Sequence, residues 1–251
     1  MDTWGIFGIA HMISWPIAAG IIFALYFLIR KRSEKTQRIV LGILSFSGIA
    51  AIIYNLLEWG TPLEYLPFHL CSINAILLPI AMFTKNKTIG NMLVLWCLGA
   101  LAAVMLNFYA ETASDLYSSR FIFFYFPHVL EFGIPIIAFK LGIIKIDYKT
   151  IPRTLILTAA IYTAVHLINL GLIEYTTVNG ITDIYGNPLH INYMYSIQHE
   201  GFPLLSTFWK IIPHSYWYMF LVFPIIFIYL AIVYLPQIIR EKKAKNDLRK
   251  Q

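Results

Sequence analysis

Seven runs of uncharged, mostly apolar residues, each about 17 to 25 long, constrain this chain more than any other feature. They fall near residues 6–29, 39–57, 67–83, 89–107, 121–139, 151–172 and 215–236. A run of that length matches the thickness of a bilayer's hydrocarbon core, where the backbone must satisfy its own hydrogen bonds, so each run is predicted to be a helix. The expected fold class is all-α: a polytopic membrane protein with a seven-helix transmembrane bundle. Composition agrees, with 59% hydrophobic and 13% charged residues. No internal repeat, linker or low-complexity tract divides the chain, so residues 1–251 read as one integral-membrane domain with a long loop at about 171–214. Pro16, Pro79, Pro127, Pro135 and Pro224 each remove a backbone donor, and kinks are expected there. The first run has no basic region ahead of it and no evident small-residue cleavage site, so it is expected to remain as a helix.

Charge predicts sidedness. Of the 19 lysines and arginines, 17 lie in alternate loops and the tail, leaving only Arg120 and Lys210 on the other side. Positive loops stay in the cytoplasm, which predicts an amino terminus outside, a carboxyl terminus inside and a multi-pass position in the cell membrane. The net charge of +6 then faces an anionic leaflet, and no basic, aromatic motif of a nucleic-acid reader accompanies it. No nucleic-acid partner is expected. The last run lacks a lysine for a Schiff base, which argues against a retinal protein. Cysteines and histidines show no zinc-ligand spacing, so neither a metal nor another cofactor is expected.

Polar side chains gather at one end of the runs, the end predicted to face outward. His11, Tyr54, Asn55, Glu58, His69, Cys71, Asn74, Asn107, Tyr109, His128, Glu131, His166, Asn169, His214 and Tyr216 all belong to it. Two readings fit: residues at home in the interface, or the lining of a polar pocket. The deeper residues favour the pocket. In LPFHLCSINAILLPI, Cys71 and Asn74 lie one helical turn apart on a shared face, and His69 points elsewhere. In FFYFPHVLEFGIP, His128 and Glu131 have the same spacing and form either a satisfied structural pair or a histidine tuned by a carboxylate. Cys71 and His128 are expected at comparable depth, within about 5 Å. Cys71 is then either a small packing residue or a nucleophile whose proton His128 accepts and returns. Cys97, among apolar neighbours and about 8 Å deeper, reads as a packing residue out of disulfide range.

These segments, with INYMYSIQHEGFPLLSTFWKIIPHSYWY, resemble the bacterial YwaF-type branch of the transmembrane protein 164 family from about Tyr65 to Phe223. The resemblance implies a membrane acyltransferase that remodels phospholipids through a cysteine acyl-enzyme. It implies a distant relation to membrane hydrolases that use threonine and histidine. Its nucleophile falls on Cys71 and its histidine on His128, and His69 belongs to the same motif. Asn74 and Glu131 join them as supporting residues on helical periodicity alone. Membrane phospholipid and lysolipid are the expected substrates. The long loop, with a turn signal at YGNP, is expected to be either a passive cap or a cover that selects a headgroup. Tyr193 and Trp217 are candidate lipid contacts there, and FPLLSTFWKIIP a short interfacial or re-entrant helix. The rival class is a small-solute transporter or substrate-binding membrane subunit, which also uses intramembrane His and Glu. The absent repeat and absent paired broken helices argue against it.

Overall fold

A computed structural model describes residues 8–58, 60–84, 86–106 and 118–248. Eight α-helices occur among them: α1 (Ile9–Ile29), α2 (Glu34–Glu58), α3 (Leu70–Phe83), α4 (Lys87–Leu106), α5 (Ser119–Lys140), α6 (Ile151–Val178), α7 (Pro203–Ile211) and α8 (Phe223–Leu248). No strand occurs among the described residues, only an isolated bridge between Thr182 and Pro188. The all-helical reading holds. Each expected span is occupied by a helix, and six are long and apolar enough to cross a membrane. The seventh, α3, has 14 residues and is about 21 Å long, short of the roughly 30 Å core. The stretch before it, from Leu66 to His69, is not helical because Pro67 and an extended His69 intervene.

Local chemistry sets the helix ends. The Ser118 hydroxyl accepts from Phe121 N at 3.1 Å and caps α5, and Asn86 Oδ1 accepts from Thr88 N at 2.9 Å to cap α4. The far end of α5 closes on Gly142, whose φ of +74° lets Ile143 N return to Ala138 O at 2.8 Å. Pro16, Pro79, Pro127 and Pro135 lie inside helices, whereas Pro224 occupies the first turn of α8, where a missing donor costs little.

Helices α2, α3, α4 and α5 pack on one another and form the centre. Small residues permit this closeness: a Cβ added to Gly48 of α2 meets Ala75 Cβ of α3 at 2.5 Å, and one on Gly133 of α5 meets Ile22 Cγ1 of α1 at 2.5 Å. Over half of the α4 and α5 spans is buried, against 17% of α1 and 11% of the span containing α6. The outer helices accordingly carry exposed Phe23, Ile156, Leu167, Phe227 and Ile232, as lipid-facing surfaces require.

At the lysine-rich end the bundle is tied by polar groups. Asn91 donates to Asp147 O and Thr150 Oγ1 and accepts from Asp147 N and the Tyr234 hydroxyl, all within 3.0 Å. Arg38 of α2 donates to Ile143 O at 3.1 Å and to Met82 O. Lys87 reaches Asp147 at 2.7 Å and holds its carboxyl below the usual range. Trp96 of α4 bonds Thr158 of α6, and Tyr229 of α8 bonds Val94 O, which hangs both outer helices on α4.

The long connection starts later than expected, since α6 runs on to Val178, and it is packed rather than structureless. Asn169, wholly buried in α6, donates to Tyr193 O and Ser196 Oγ at 2.8 Å each and accepts from Tyr193 N at 3.0 Å. His166 adds a bond to Ser196 Oγ at 3.0 Å. Met194, Tyr195 and Glu200 take positive φ near 53–54°, a strained conformation for side-chain-bearing residues. Bonds from the Tyr218 hydroxyl to Tyr195 O and from Tyr216 N to Ser196 O hold the chain in it.

Candidate active site

Cys71 sits in the first turn of α3, one turn above Asn74, and His128 in α5, one turn above Glu131. Depth is common to both pairs. Arg38 ties Met82 and Ile143 together at the lysine-rich end, and Ile143 N folds back onto Ala138 O; Asn74 lies about 12 Å above Met82 and Glu131 about 10 Å above Ala138 along their helices. Asn74 adjoins Glu131 closely enough for the amide to act on the carboxyl. The two upper residues, Cys71 and His128, are therefore level with each other on packed helices.

Accessibility separates the upper pair from the lower. Asn74 is 0% and Glu131 4% exposed, while Cys71 and His128 are crowded by protein yet retain accessible surface. His128 Nδ1 lies 2.6 Å from Phe124 O. A carbonyl only accepts, so Nδ1 carries the hydrogen and a neutral ring keeps its lone pair on Nε2. His128 and Glu131 do not form a satisfied pair: Glu131 Oε1 is sealed from solvent and meets no hydrogen-bond partner among the described residues. Cys97 contrasts with Cys71. It is 2% exposed, its thiol directed at Val94 O at 3.1 Å, and both cysteines are free.

His69 faces away from this pair, as its register requires. Its ring meets Tyr193 edge-on at 5.2 Å and lies 5.9 Å from Tyr195. Tyr193 is 1% exposed, its hydroxyl donating to Leu63 O and accepting from Leu66 N at 3.0 Å. The ring that the sequence places at headgroup level is thus a buried strut between the long loop and the entry to α3. Trp217 is 59% exposed, beside α7 with its exposed Leu204 and Ile211. Asn107 and Tyr109 lie outside the described residues.

Sequence reasoning missed the anchoring role of Asn169 and the clamp around Glu200. Glu200 pairs with His190 at 2.6 Å and accepts from Asn192. Partial burial opposes its charge, but these donors prevail and hold its carboxyl below the usual range. The repeated H, N and E in HINYMYSIQHEG were the available signal.

Together these features define a helical, multi-pass membrane protein with a thiol, an imidazole and a sealed acid–amide pair on two adjoining helices. The chain matches the TMEM164 family model over residues 6–235 and belongs to the TMEM164 family. No curated protein and no solved structure matches it.

Proposed function

We propose that this protein is a phospholipid acyltransferase or transacylase of the YwaF-type branch, working through an acyl-Cys71 intermediate. What supports the reading is that Cys71 and His128, both part-exposed residues, stand one turn above the buried Asn74 and Glu131 on helices that pack together. Cys71 gives its proton to His128 Nε2, and the thiolate attacks the carbonyl carbon of a lipid ester. As the tetrahedral intermediate collapses, the ester C–O bond breaks and the leaving oxygen takes the proton from Nε2. Lysophospholipid departs, and the acyl group stays on sulfur. An acceptor alcohol then gives its proton to Nε2 and attacks the thioester, the S–C bond breaks, and Cys71 recovers the proton. Ester exchange needs no oxidant and no external energy source. With water as acceptor the same steps hydrolyse the lipid.

Several further assignments belong to this proposal. The lysine-rich end faces the cytoplasm of a cell-membrane protein, and α3 with its non-helical entry serves as the seventh crossing. The amino terminus is then outside, and the pocket opens toward the outer leaflet. His69 and Tyr193 brace the mouth, and the exposed Trp217, Leu204 and Ile211 lie at headgroup level, where the loop selects a substrate.

Lipid product analysis tests the reading. Purified protein is incubated with diacyl phospholipid and an isotopically labelled lysophospholipid, and products are compared with those of Cys71→Ala. Transfer of label into diacyl lipid by the wild type alone is expected. Identical products from wild type, variant and protein-free controls would overturn it and favour the transport class.

A further inference from the structure

The floor of the site poses a problem of donors and acceptors. Asn74 Nδ2, Asn74 Oδ1 and Glu131 Oε1 are sealed from solvent and meet no hydrogen-bond partner among the described residues. Buried polar atoms in a membrane bundle are expected to be paired. Asn74 offers one face with a donor and one with an acceptor. An ionised Glu131 offers acceptors only, which leaves Asn74 Oδ1 facing a second acceptor. A protonated Glu131 offers a hydroxyl donor and a carbonyl acceptor, the complement of the amide, and a small side-chain adjustment satisfies all three atoms in one cyclic pair.

We propose that Glu131 carries a proton at neutral pH and forms a charge-neutral acid–amide pair with Asn74, which acts as the positioning element beneath Cys71 and His128. The pair ties α3 to α5 one turn below the thiol and the imidazole, which fixes their common level. It also places no negative charge beside a sulfur that must itself become negative. An anionic Glu131 would oppose the thiolate, since like charges in a low-dielectric interior repel strongly.

The surroundings fit this assignment. Cys71 and Asn74 face Glu131 from α3, Cys97 lies within its electrostatic reach from α4, and His128 stands one turn up its own helix. From α2, the charged groups lie only at the ends, where Arg38 is paired with Glu34 and Glu58 with Arg120. From α1, Ile22 packs against Gly133 beside it, and His11 bonds Val104 O at the far end. Among these no lysine or arginine faces Glu131, and His128 directs its Nδ1 to Phe124 O rather than to the carboxyl.

The consequence for Cys71 rests on the acyl-transfer reading, but the protonation state does not. Infrared difference spectra of wild type minus Glu131→Gln at neutral pH test it directly. The expected result is a protonated-acid C=O stretch that vanishes in the variant and shifts in frequency in Asn74→Ala. A carboxylate stretch in its place, or a frequency indifferent to Asn74, overturns the proposal.

Rescue separates positioning from mere packing. In a Cys97→Ala background, so that Cys71 is the reporting thiol, alkylation of Asn74→Leu is expected to be about tenfold slower than with Asn74 intact, the scale of one lost buried hydrogen-bonded contact. The exchanged variant Asn74→Asp/Glu131→Gln rebuilds the acid–amide pair with its members swapped and is expected to stay within about twofold of wild type. Its failure while folded, judged by thermal unfolding, counts against the pair. Loss of the acid band with intact acyl transfer overturns this inference alone, whereas an intact band without acyl transfer overturns only the function proposed above.

Discussion

Two asparagines show how the ends of this bundle differ. Asn91 of α4 is 1% exposed and makes four hydrogen bonds, to Asp147 N, Asp147 O, Thr150 and Tyr234. Asn74 of α3 is 0% exposed and its two amide atoms make none among the described residues. The first closes a network that fastens α4, α6 and α8 at the lysine-rich end. The second lies one turn below Cys71 and beside Glu131, under two residues that are only part-buried. Polar groups whose bonds are all made hold a membrane bundle together, while polar groups with bonds still to make are where ligands and protons act.

The comparison can be broken most forcefully at Cys71. Cys71→Ala is expected to lower acyl transfer by at least about a thousandfold, because no other accessible thiol replaces the nucleophile. Lipid product assays check this, and retained activity breaks the contrast at once. His128→Gln is expected to cost about a hundredfold to ten-thousandfold in the same assay, the range for a lost general acid and base. Stability should run the other way. Asn91→Leu strands four partners and is expected to cost about 4 kcal/mol, whereas Asn74→Leu strands only the Glu131 carboxyl and costs less than half of that. Thermal unfolding in detergent sets the two side by side.

A smaller effect concerns the loop. The folded state holds the Glu200 carboxyl below its usual range, so its contribution is full above that range and is lost as pH falls through the depressed value. Proteolysis of the 190–202 segment should therefore accelerate as pH drops below the ordinary carboxylate range, and Glu200→Gln should cut at one rate throughout.

Much of the bundle was legible because hydrophobic length is a coarse signal that packing does not alter. Each expected run holds a helix, with residues 67–69 of the third lying ahead of α3. The shortness of α3 was harder to see, since Leu66 to Phe68 are apolar enough to continue a helix and only the extended backbone at His69 ends it. The i, i+3 spacing predicted that Cys71 shares a face with Asn74, and His128 with Glu131. It did not predict that His128 turns to its own Phe124 carbonyl and Glu131 toward α3, because those choices depend on the neighbouring helix. Tyr193 misled for a related reason: a tyrosine near a membrane surface looks the same in sequence whether its hydroxyl meets water or Leu63 O. Asn169 carried no local signal, as its three partners lie 24 and 27 residues away.

The central claim is that Cys71 carries an acyl group. Intact-protein mass spectrometry of wild type and Cys71→Ala after incubation with mixed phospholipids, stopped in acid at successive times, tests it most directly. The account predicts a fatty-acyl mass increment on the wild type that hydroxylamine removes and that Cys71→Ala lacks. An increment of equal size on Cys71→Ala, or acyl transfer by wild type with no increment at any time, would contradict it.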